Sequence, residues 1–223
     1  MAIKFGTTFL LRKLHQLTGI FPVGLFYFVY LYTNAKAMSG ETVYNDAVAE
    51  IYHIPFLLLI EIFGIYVPLL YHSVYGFIIS VEAKTNVINY GYGRNWLYFF
   101  QRVTGVFLFA FILFHLLHFR FGLLRSFGLT GVAVAGNAGQ AFQIVAADFK
   151  SIGILFFYIL GVWATALHLA YGFFLFAVDW GLVIGEKAQK YALYGCAALG
   201  IGLFPLARMQ YFHLFARAGY CLA

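Results

Sequence analysis

Five apolar stretches are each long enough to cross a lipid bilayer, and they constrain the fold more than any other feature of the chain. A helix needs about 20 residues to span a hydrocarbon core roughly 30 Å thick. Inside a bilayer every backbone polar group must also be hydrogen-bonded within the protein. The sequence therefore predicts an all-α fold, a single membrane domain over residues 1–223, with five transmembrane helices at about 14–34, 53–80, 96–120, 151–178 and 189–207.

Composition supports this class and excludes others. Hydrophobic residues make up 63% of the chain and charged residues only 10%, as expected for an integral membrane protein. The two cysteines are too few for an iron–sulfur cluster and show no zinc pattern. Gly91-Tyr-Gly93 follows no strand, so there is no dinucleotide fingerprint. Flavin or nicotinamide chemistry would therefore belong to other chains.

Charge gives the expected placement in the membrane. The formal net charge of +6 is explained by Lys and Arg next to the membrane, where they meet anionic lipid, and no basic run predicts nucleic acid binding. The N-terminal residues include no cleavage site, so no cleaved signal peptide is expected. Eight Lys and Arg on one side against six on the other favour a cytoplasmic N-terminus. We treat residues 34–51 as a charged loop, and the glycine-rich residues 123–150 as a surface loop with a short interfacial helix.

One motif, His-x-x-Tyr-Gly-Phe, occurs twice inside the apolar stretches, beginning at His72 and at His168. In a helix its glycine lies one turn beyond the histidine on the same face, so each imidazole projects beside a surface without a side chain. Such a pair predicts a bis-histidine haem b, with Gly76 and Gly172 leaving room for the macrocycle. The alternative is two unrelated histidines, each bonded to a hydroxyl or carbonyl of a neighbouring helix.

A second internal similarity links the first and third stretches. Leu17-Thr-Gly-Ile-Phe matches Val103-Thr-Gly-Val-Phe, and small residues here would let helices approach closely. At a rise of about 1.5 Å per residue, His72 and His168 lie roughly 12 to 15 Å from the inner helix ends, while His115 and Tyr30 lie roughly 24 to 28 Å from them. The sequence thus predicts one His/His level and one His/Tyr level.

Several runs occur in one order along the chain: RKLHQLTGIFPVG from Arg12, EIF from Glu61, LYHSVYG from Leu70, RNW from Arg94, QRVTG from Gln101 and FAVDWG from Phe176. Together they resemble the cytochrome b membrane anchor of succinate dehydrogenase, most closely the single-chain, five-helix anchors of succinate:menaquinone oxidoreductases. The resemblance covers about residues 10–182. It implies a subunit in the cell inner membrane that is not an enzyme on its own. This subunit would bind a flavoprotein subunit and an iron–sulfur subunit and pass electrons to quinone, with menaquinone expected.

The resemblance also implies haem ligands. The proximal ligands of the family fall on His72 and His168, and one distal ligand falls on His115, but the other distal position is Tyr30. Three outcomes are open there: a phenolate ligand, a five-coordinate haem on His115, or no haem. A glutamate that some relatives carry two residues before the fourth-helix ligand is Ala166 in this chain.

Other polar residues in or near the spans are weaker candidates. Arg102 suits a haem propionate, with lipid phosphate as the competing partner. His15 could touch a propionate or be a solvated residue at a helix start. His118 and Arg120 could meet a propionate or a quinone, but we expect them to be hydrated at the interface. Glu61 is the acidic residue well inside a span, so it is a candidate for proton or quinone chemistry or a protonated carboxyl bonded to a neighbouring helix.

Two other classes of protein share some of these features. A transporter also has repeated spans and buried histidines, but it would normally show inverted repeats and more intramembrane charge. A cytochrome b anchor of another quinone-linked dehydrogenase would share the haem chemistry and differ in its partner. A reduced-minus-oxidised spectrum distinguishes the first class, and the identity of co-purified subunits distinguishes the second.

Overall fold

The computed structural model of the chain describes residues 2–125, 129 and 131–218; the side chains of residues 2–5 and 204–218 are not described. Within these residues the secondary structure is helical, which confirms the all-α prediction. The α-helices are α1 (Ala2–Ile20), α2 (Val23–Ala35), α3 (Glu41–Tyr52), α4 (Leu57–Leu59), α5 (Val67–Glu82), α6 (Gly93–His115), α7 (Ala141–Asp148), α8 (Ile152–Asp179) and α9 (Glu186–Ala218).

Among the described residues, four helical segments are long and apolar enough to cross a membrane: Gly6–Ser39, Leu57–Glu82, Gly93–Arg120 and Ile152–Asp179. They correspond to the first four predicted spans. The fifth predicted span, residues 189–207, lies within α9, whose side chains are described only up to residue 203. A fifth membrane crossing therefore stays a prediction.

The first span differs from its prediction in being divided. α1 begins well before residue 14 and ends at Ile20, and α2 begins at Val23. Pro22 lies between the two helices and has no N–H to donate to the carbonyl of Thr18. The expected continuous helix from 14 to 34 is therefore wrong at this point, because the proline interrupts the α-helical hydrogen bonds.

The second span begins later than predicted and contains a π-helix. Residues 53–56 form turns, with Phe56 at a positive φ of 57°, so the start at residue 53 is wrong. A π-helix covers Ile60–Tyr66, directly before α5, where Pro68 is the second residue. Another π-helix, Leu116–Arg120, continues α6. The irregular segment of this span thus lies directly before Pro68.

The two long connections contain more helix than predicted. A 3-10 helix over Lys36–Ser39 and α3 replace the charged loop expected at 34–51. The short helix expected within 123–150 exists as α7, and six of its eight residues are buried inside the protein. The Asn45 side chain of α3 explains this burial: it donates to the carbonyl of Gly139 at 2.8 Å and accepts from the N–H of Phe142 at 2.8 Å. Residues 126–128 and 130 of this connection lie outside the described part.

The chain forms two compact units, each built from segments that are distant in sequence. The first unit comprises Met1–Tyr27, Leu58–Phe107 and Thr165–Gly202, and it contains His72 and His168. The second unit comprises Phe28–Leu57, Leu108–Ala164 and Leu203–Ala223, and it contains Tyr30 and His115. Each of the two predicted pairs therefore has its surroundings within a single unit.

Candidate functional site

His72 on α5 and His168 on α8 lie next to each other in the first unit. Their ring centroids are 6.3 Å apart and their ring planes are at 90°. Histidine nitrogens bind metal atoms at about 2 Å, so one metal atom shared by two imidazoles places their centroids roughly 6 Å apart. The separation of the two rings therefore fits a shared metal atom.

The hydrogen bonds of His72 and His168 involve Nδ1 of each ring and leave Nε2 of each ring available to a metal. His72 donates through Nδ1 to the backbone carbonyl of His15 at 2.8 Å, since a carbonyl can only accept. Nδ1 of His168 lies 3.1 Å from the hydroxyl oxygen of Thr104. Neither Nε2 atom has a hydrogen bond to any residue that the structure describes. A proton on Nδ1 leaves the lone pair on Nε2, which is the form that ligates a metal.

A glycine from a neighbouring helix lies against each of these imidazoles. A Cβ atom at Gly19 would overlap Cε1 of His72 and lie 2.7 Å from its Nδ1, and a Cβ at Gly105 would lie 3.0 Å from Cε1 of His168. These are the glycines of the two matching Thr-Gly sequences. The sequence analysis assigned these glycines only to helix packing. Both lie in the same five-residue pattern near the start of a span, and this repeat was the signal that could have connected them to the two histidines.

His15 belongs to the same cluster. Its ring stacks on that of His72, with centroids 4.1 Å apart and planes within 12°. The absence of a side chain at Gly76 makes room for it, because a Cβ there would lie 2.9 Å from Cε1 of His15. Nδ1 of His15 is buried and has no hydrogen-bond partner among the described residues. The structure therefore brings His15 to the histidine pair, and the space beside Gly76 is taken by His15.

Gly172 and Arg102 lie near the His168 side of the cluster. A Cβ at Gly172 would meet only Nε2 of Gln101, at 3.5 Å, and this amide donates to the backbone carbonyl of His168 at 3.0 Å. The Arg102 guanidinium lies 4.8 Å from the centroid of the Tyr98 ring. Its Nε atom is buried without a hydrogen-bond partner among the described residues. A buried cationic donor of this kind fits an anionic group such as a propionate.

Polar side chains join the first and fourth spans at the C-terminal end of α8. Lys13 donates to the backbone carbonyl of Asp179 at 2.6 Å, and the Gln16 amide donates to the Asp179 carboxylate. The Trp180 indole N–H donates to the Gln16 side chain at 3.1 Å. A cation at a helix C-terminus is favourable because the helix dipole is negative there. These contacts fix α1 beside α8 and so help to set the position of His168.

Two loops of the first unit expose large apolar side chains. Ile88 in the loop before α6 is 96% exposed, and Leu182 and Ile184 in the loop before α9 are 71% and 80% exposed. All three lie outside the candidate membrane spans. Exposed apolar side chains of this kind are typical of an interface with another protein.

The Tyr30–His115 pair in the second unit is built differently. The two ring centroids are 5.6 Å apart and the planes meet at 87°. Nδ1 of His115 is buried and has no hydrogen-bond partner among the described residues, unlike Nδ1 of His72 and His168. The structure brings the predicted pair together, but the imidazole lacks an acceptor that would fix its tautomer.

Aromatic side chains fill the space around His115. The rings of Phe111, Phe119 and Tyr158 have their centroids 6.3, 5.7 and 5.8 Å from that of His115. A Cβ at Gly161 would overlap the ring of Phe111. Gly161 in the second unit thus lies against a phenylalanine ring, whereas Gly19 and Gly105 in the first unit lie against histidine rings.

His118 is buried in a network that the sequence analysis missed. It is 1% exposed, with Nδ1 2.9 Å from the Tyr158 hydroxyl and Nε2 2.8 Å from the Asp148 carboxylate. The expected hydration of His118 at the membrane surface is therefore wrong, because α7 brings Asp148 over it. Residues 30 and 40 positions away supply the partners, and no local sequence pattern indicates them.

The remaining candidates have less defined surroundings. Glu61 is half-buried in the first turn of the π-helix and makes other interactions. Among the described residues there is no group of three or more His, Cys, Asp or Glu that could hold a metal ion.

Comparisons with known proteins show the family of the chain. Residues 87–206 match the model of the family described as succinate dehydrogenase/fumarate reductase transmembrane subunit. The chain is also 37% identical over 186 residues to the succinate dehydrogenase cytochrome b558 subunit of Bacillus subtilis (strain 168). That alignment covers 83% of this chain and 87% of the relative.

Proposed function

The chain belongs to the family of succinate dehydrogenase and fumarate reductase transmembrane subunits, and from this membership we propose that His72 and His168 hold a haem b that passes electrons between an iron–sulfur subunit and membrane quinone. As a member of this family the chain is a membrane anchor without catalytic activity of its own. The family match and the Bacillus relative favour succinate dehydrogenase over the transporter and over the anchor of another dehydrogenase.

The observation that carries the haem proposal is the His72–His168 pair. Its ring centroids are 6.3 Å apart, and both Nε2 atoms lack a hydrogen bond to the described residues. A bound haem would supply one-electron chemistry. The chain would supply the two axial nitrogens, the acceptors that hold both Nδ1 atoms, and the apolar surroundings that limit water access. Arg102 and His15, each with a buried nitrogen that lacks a partner among the described residues, are suited to the propionates.

We assign one haem to the chain. The Tyr30–His115 pair offers a single imidazole, and Phe111 covers the glycine surface at Gly161. A six-coordinate bis-histidine iron needs two neutral imidazoles. A phenolate would bring an additional buried negative charge, which is costly unless the metal neutralises it. These residues do not fit a second bis-histidine haem, so the pair receives no role in electron transfer here.

The partner surface that fits best is the pair of apolar loops in the first unit. Ile88, Leu182 and Ile184 are exposed there outside the spans, as a docking surface for a soluble subunit requires. The proposed partners are the iron–sulfur subunit and, through it, the flavoprotein subunit. This placement assigns the loops and the N-terminus to the cytoplasmic side of the cell inner membrane. Menaquinone is the proposed quinone, and Glu61 is a candidate for its proton exchange.

Spectroscopy of the purified complex tests the proposal. The chain is expressed with its flavoprotein and iron–sulfur subunits, and the complex is isolated through a tag on the flavoprotein. We expect co-purification of all three chains, a sharp α band in the reduced-minus-oxidised spectrum, and reduction of the haem by succinate. Absence of the band, or purification of the chain without the two soluble subunits, would contradict the proposal.

A further inference from the structure

The two matching Thr-Gly sequences differ in what their threonines contact. The Thr104 hydroxyl lies 2.8 Å from the carbonyl of Phe100, 3.1 Å from the carbonyl of Gln101 and 3.1 Å from Nδ1 of His168. Thr18 makes the same two contacts within its own helix, to Leu14 at 2.9 Å and His15 at 3.0 Å. Among the described residues, Thr18 has no hydrogen bond to a histidine ring.

The hydrogen bonds of Thr104 fix the tautomer of His168. A threonine hydroxyl has one hydrogen to donate and two lone pairs with which to accept. The carbonyls of Phe100 and Gln101 can only accept, so one of them takes the hydroxyl hydrogen. The Thr104 oxygen must then accept from His168, which places the imidazole proton on Nδ1. Nε2 of His168 is left with its lone pair.

Each axial histidine interacts with a backbone carbonyl of a neighbouring helix, and His168 has the Thr104 hydroxyl in addition. For His72 the acceptor is the backbone carbonyl of His15, which no side-chain substitution removes. For His168 the Thr104 hydroxyl lies 3.1 Å from Nδ1, and the backbone carbonyl of Gln101 interacts with the same ring. An acceptor on the distal nitrogen orients a metal-bound imidazole and increases its basicity, and it is one of the means by which a protein adjusts a haem.

We propose that Thr104 is a positioning residue for the haem ligand His168, holding its Nδ1–H and thereby setting the electron donation of Nε2 to the iron. This inference rests on the proposed function, since it presupposes a haem at the His72–His168 pair. It concerns a residue that does not touch the iron and that acts through His168.

Three variants of the complete complex test the inference. Thr104→Val removes the hydroxyl and keeps the branched shape, and Thr104→Ser keeps the hydroxyl. Thr18→Val is the comparison variant: it removes the same two contacts within a helix, one of them to the His15 carbonyl that accepts from His72, and it leaves that carbonyl in place. Each complex is examined by pyridine haemochrome content, by redox titration of the haem band and by low-temperature EPR of the ferric haem.

In Thr104→Val we expect a higher haem midpoint potential and shifted ferric g values, because a less basic imidazole stabilises ferric iron less. A tenfold change in the ferric/ferrous equilibrium is expected, which is about 59 mV for one electron. Thr104→Ser and Thr18→Val should keep the potential and the spectrum of the unmodified complex. If Thr104→Val loses haem while the other two variants retain it, the positioning role is equally supported.

Two results would overturn the inference. One is a Thr104→Val complex whose potential and EPR spectrum equal those of Thr18→Val at full haem content. The other is equal haem loss in Thr104→Val and Thr18→Val, which would indicate packing damage at either threonine. A different result, the absence of a low-spin haem from the unmodified complex, would contradict the proposed function itself.

Discussion

The His72–His168 pair and the Tyr30–His115 pair each bring together two side chains from different spans, but their surroundings differ. In the first pair both Nδ1 atoms have acceptors, and a glycine lies against each ring. In the second pair Nδ1 of His115 has no partner among the described residues, and Phe111 covers the glycine surface. The two pairs therefore differ in what holds Nδ1 of each histidine as much as in the residue opposite.

The second unit uses its polar groups for packing. His118, Asp148 and Tyr158 bond to one another and are 1%, 5% and 0% exposed. Buried polar groups are tolerated when they are hydrogen-bonded, so this network can hold α7 against the spans without a cofactor. Three buried nitrogens have no partner among the described residues: those of His15 and Arg102 in the first unit, and Nδ1 of His115 in the second. Unpaired buried donors are costly and indicate a missing partner.

The largest expected effect separates the two pairs directly. His72→Leu or His168→Leu should abolish the sharp reduced α band, because each removes an axial nitrogen. His115→Leu is the matched control and should keep the band. Spectra of membranes that contain equal amounts of the complex provide the measurement. Retention of the band in both ligand variants would show that the haem is held elsewhere.

A second change would make the two pairs alike. Tyr30→His supplies a second imidazole opposite His115, and we expect haem content to rise from about one to about two per chain. Tyr30→Phe is the control and should leave the content at about one. Pyridine haemochrome stoichiometry with EPR measures this. Two bis-histidine signals in the unmodified complex would refute the contrast and would require a ligand other than Tyr30.

A smaller, graded effect is expected at the glycines of the first pair. Gly19→Ala forces a Cβ to overlap the ring of His72, whereas at Gly105 the added Cβ would lie 3.0 Å from His168. Gly19→Ala should therefore lose more haem than Gly105→Ala. Gly64→Ala, whose Cβ would meet only Ile60 at 3.8 Å, serves as the control. Equal haem content in all three variants would mean that the rings move freely.

The membrane class, the first four spans and the two pairs could be predicted from the sequence because they depend on local properties. Apolar length determines a span, and the repeated motif identifies His72 and His168. The interruption at Pro22 was also visible in the sequence, since proline removes a helical hydrogen bond. The helix is interrupted at this one proline, and the mean hydropathy of the span does not indicate it.

The rest depended on contacts between distant residues. The acceptors of His72 and His168 come from other helices, and nothing in the motif specifies His15 or Thr104. The burial of His118 involves Asp148 on α7, and Asn45 on α3 bonds to Gly139 in the segment before α7. Sequence spacing identifies which residues share a face of one helix, but not which face of another helix lies against it.

The smallest expected effect tests the packing role of the second unit. Tyr158→Phe removes one hydroxyl from the network and leaves Nδ1 of His118 without that partner. The loss of one buried hydrogen bond lowers the free energy of unfolding by about 1–3 kcal/mol. We expect the complex in detergent to unfold at a lower temperature, with the haem band at His72 and His168 unchanged in position and intensity.

Phe157→Leu is a suitable comparison for Tyr158→Phe, because it alters a neighbouring aromatic residue of the same helix without removing a hydroxyl. If the network serves packing alone, Tyr158→Phe should change thermal stability and leave the rate of quinone reduction by succinate unaltered. A normal melting temperature together with slower quinone reduction would show the reverse. The Tyr158–His118–Asp148 network would then take part in proton exchange, and the second unit would contribute chemistry as well as stability.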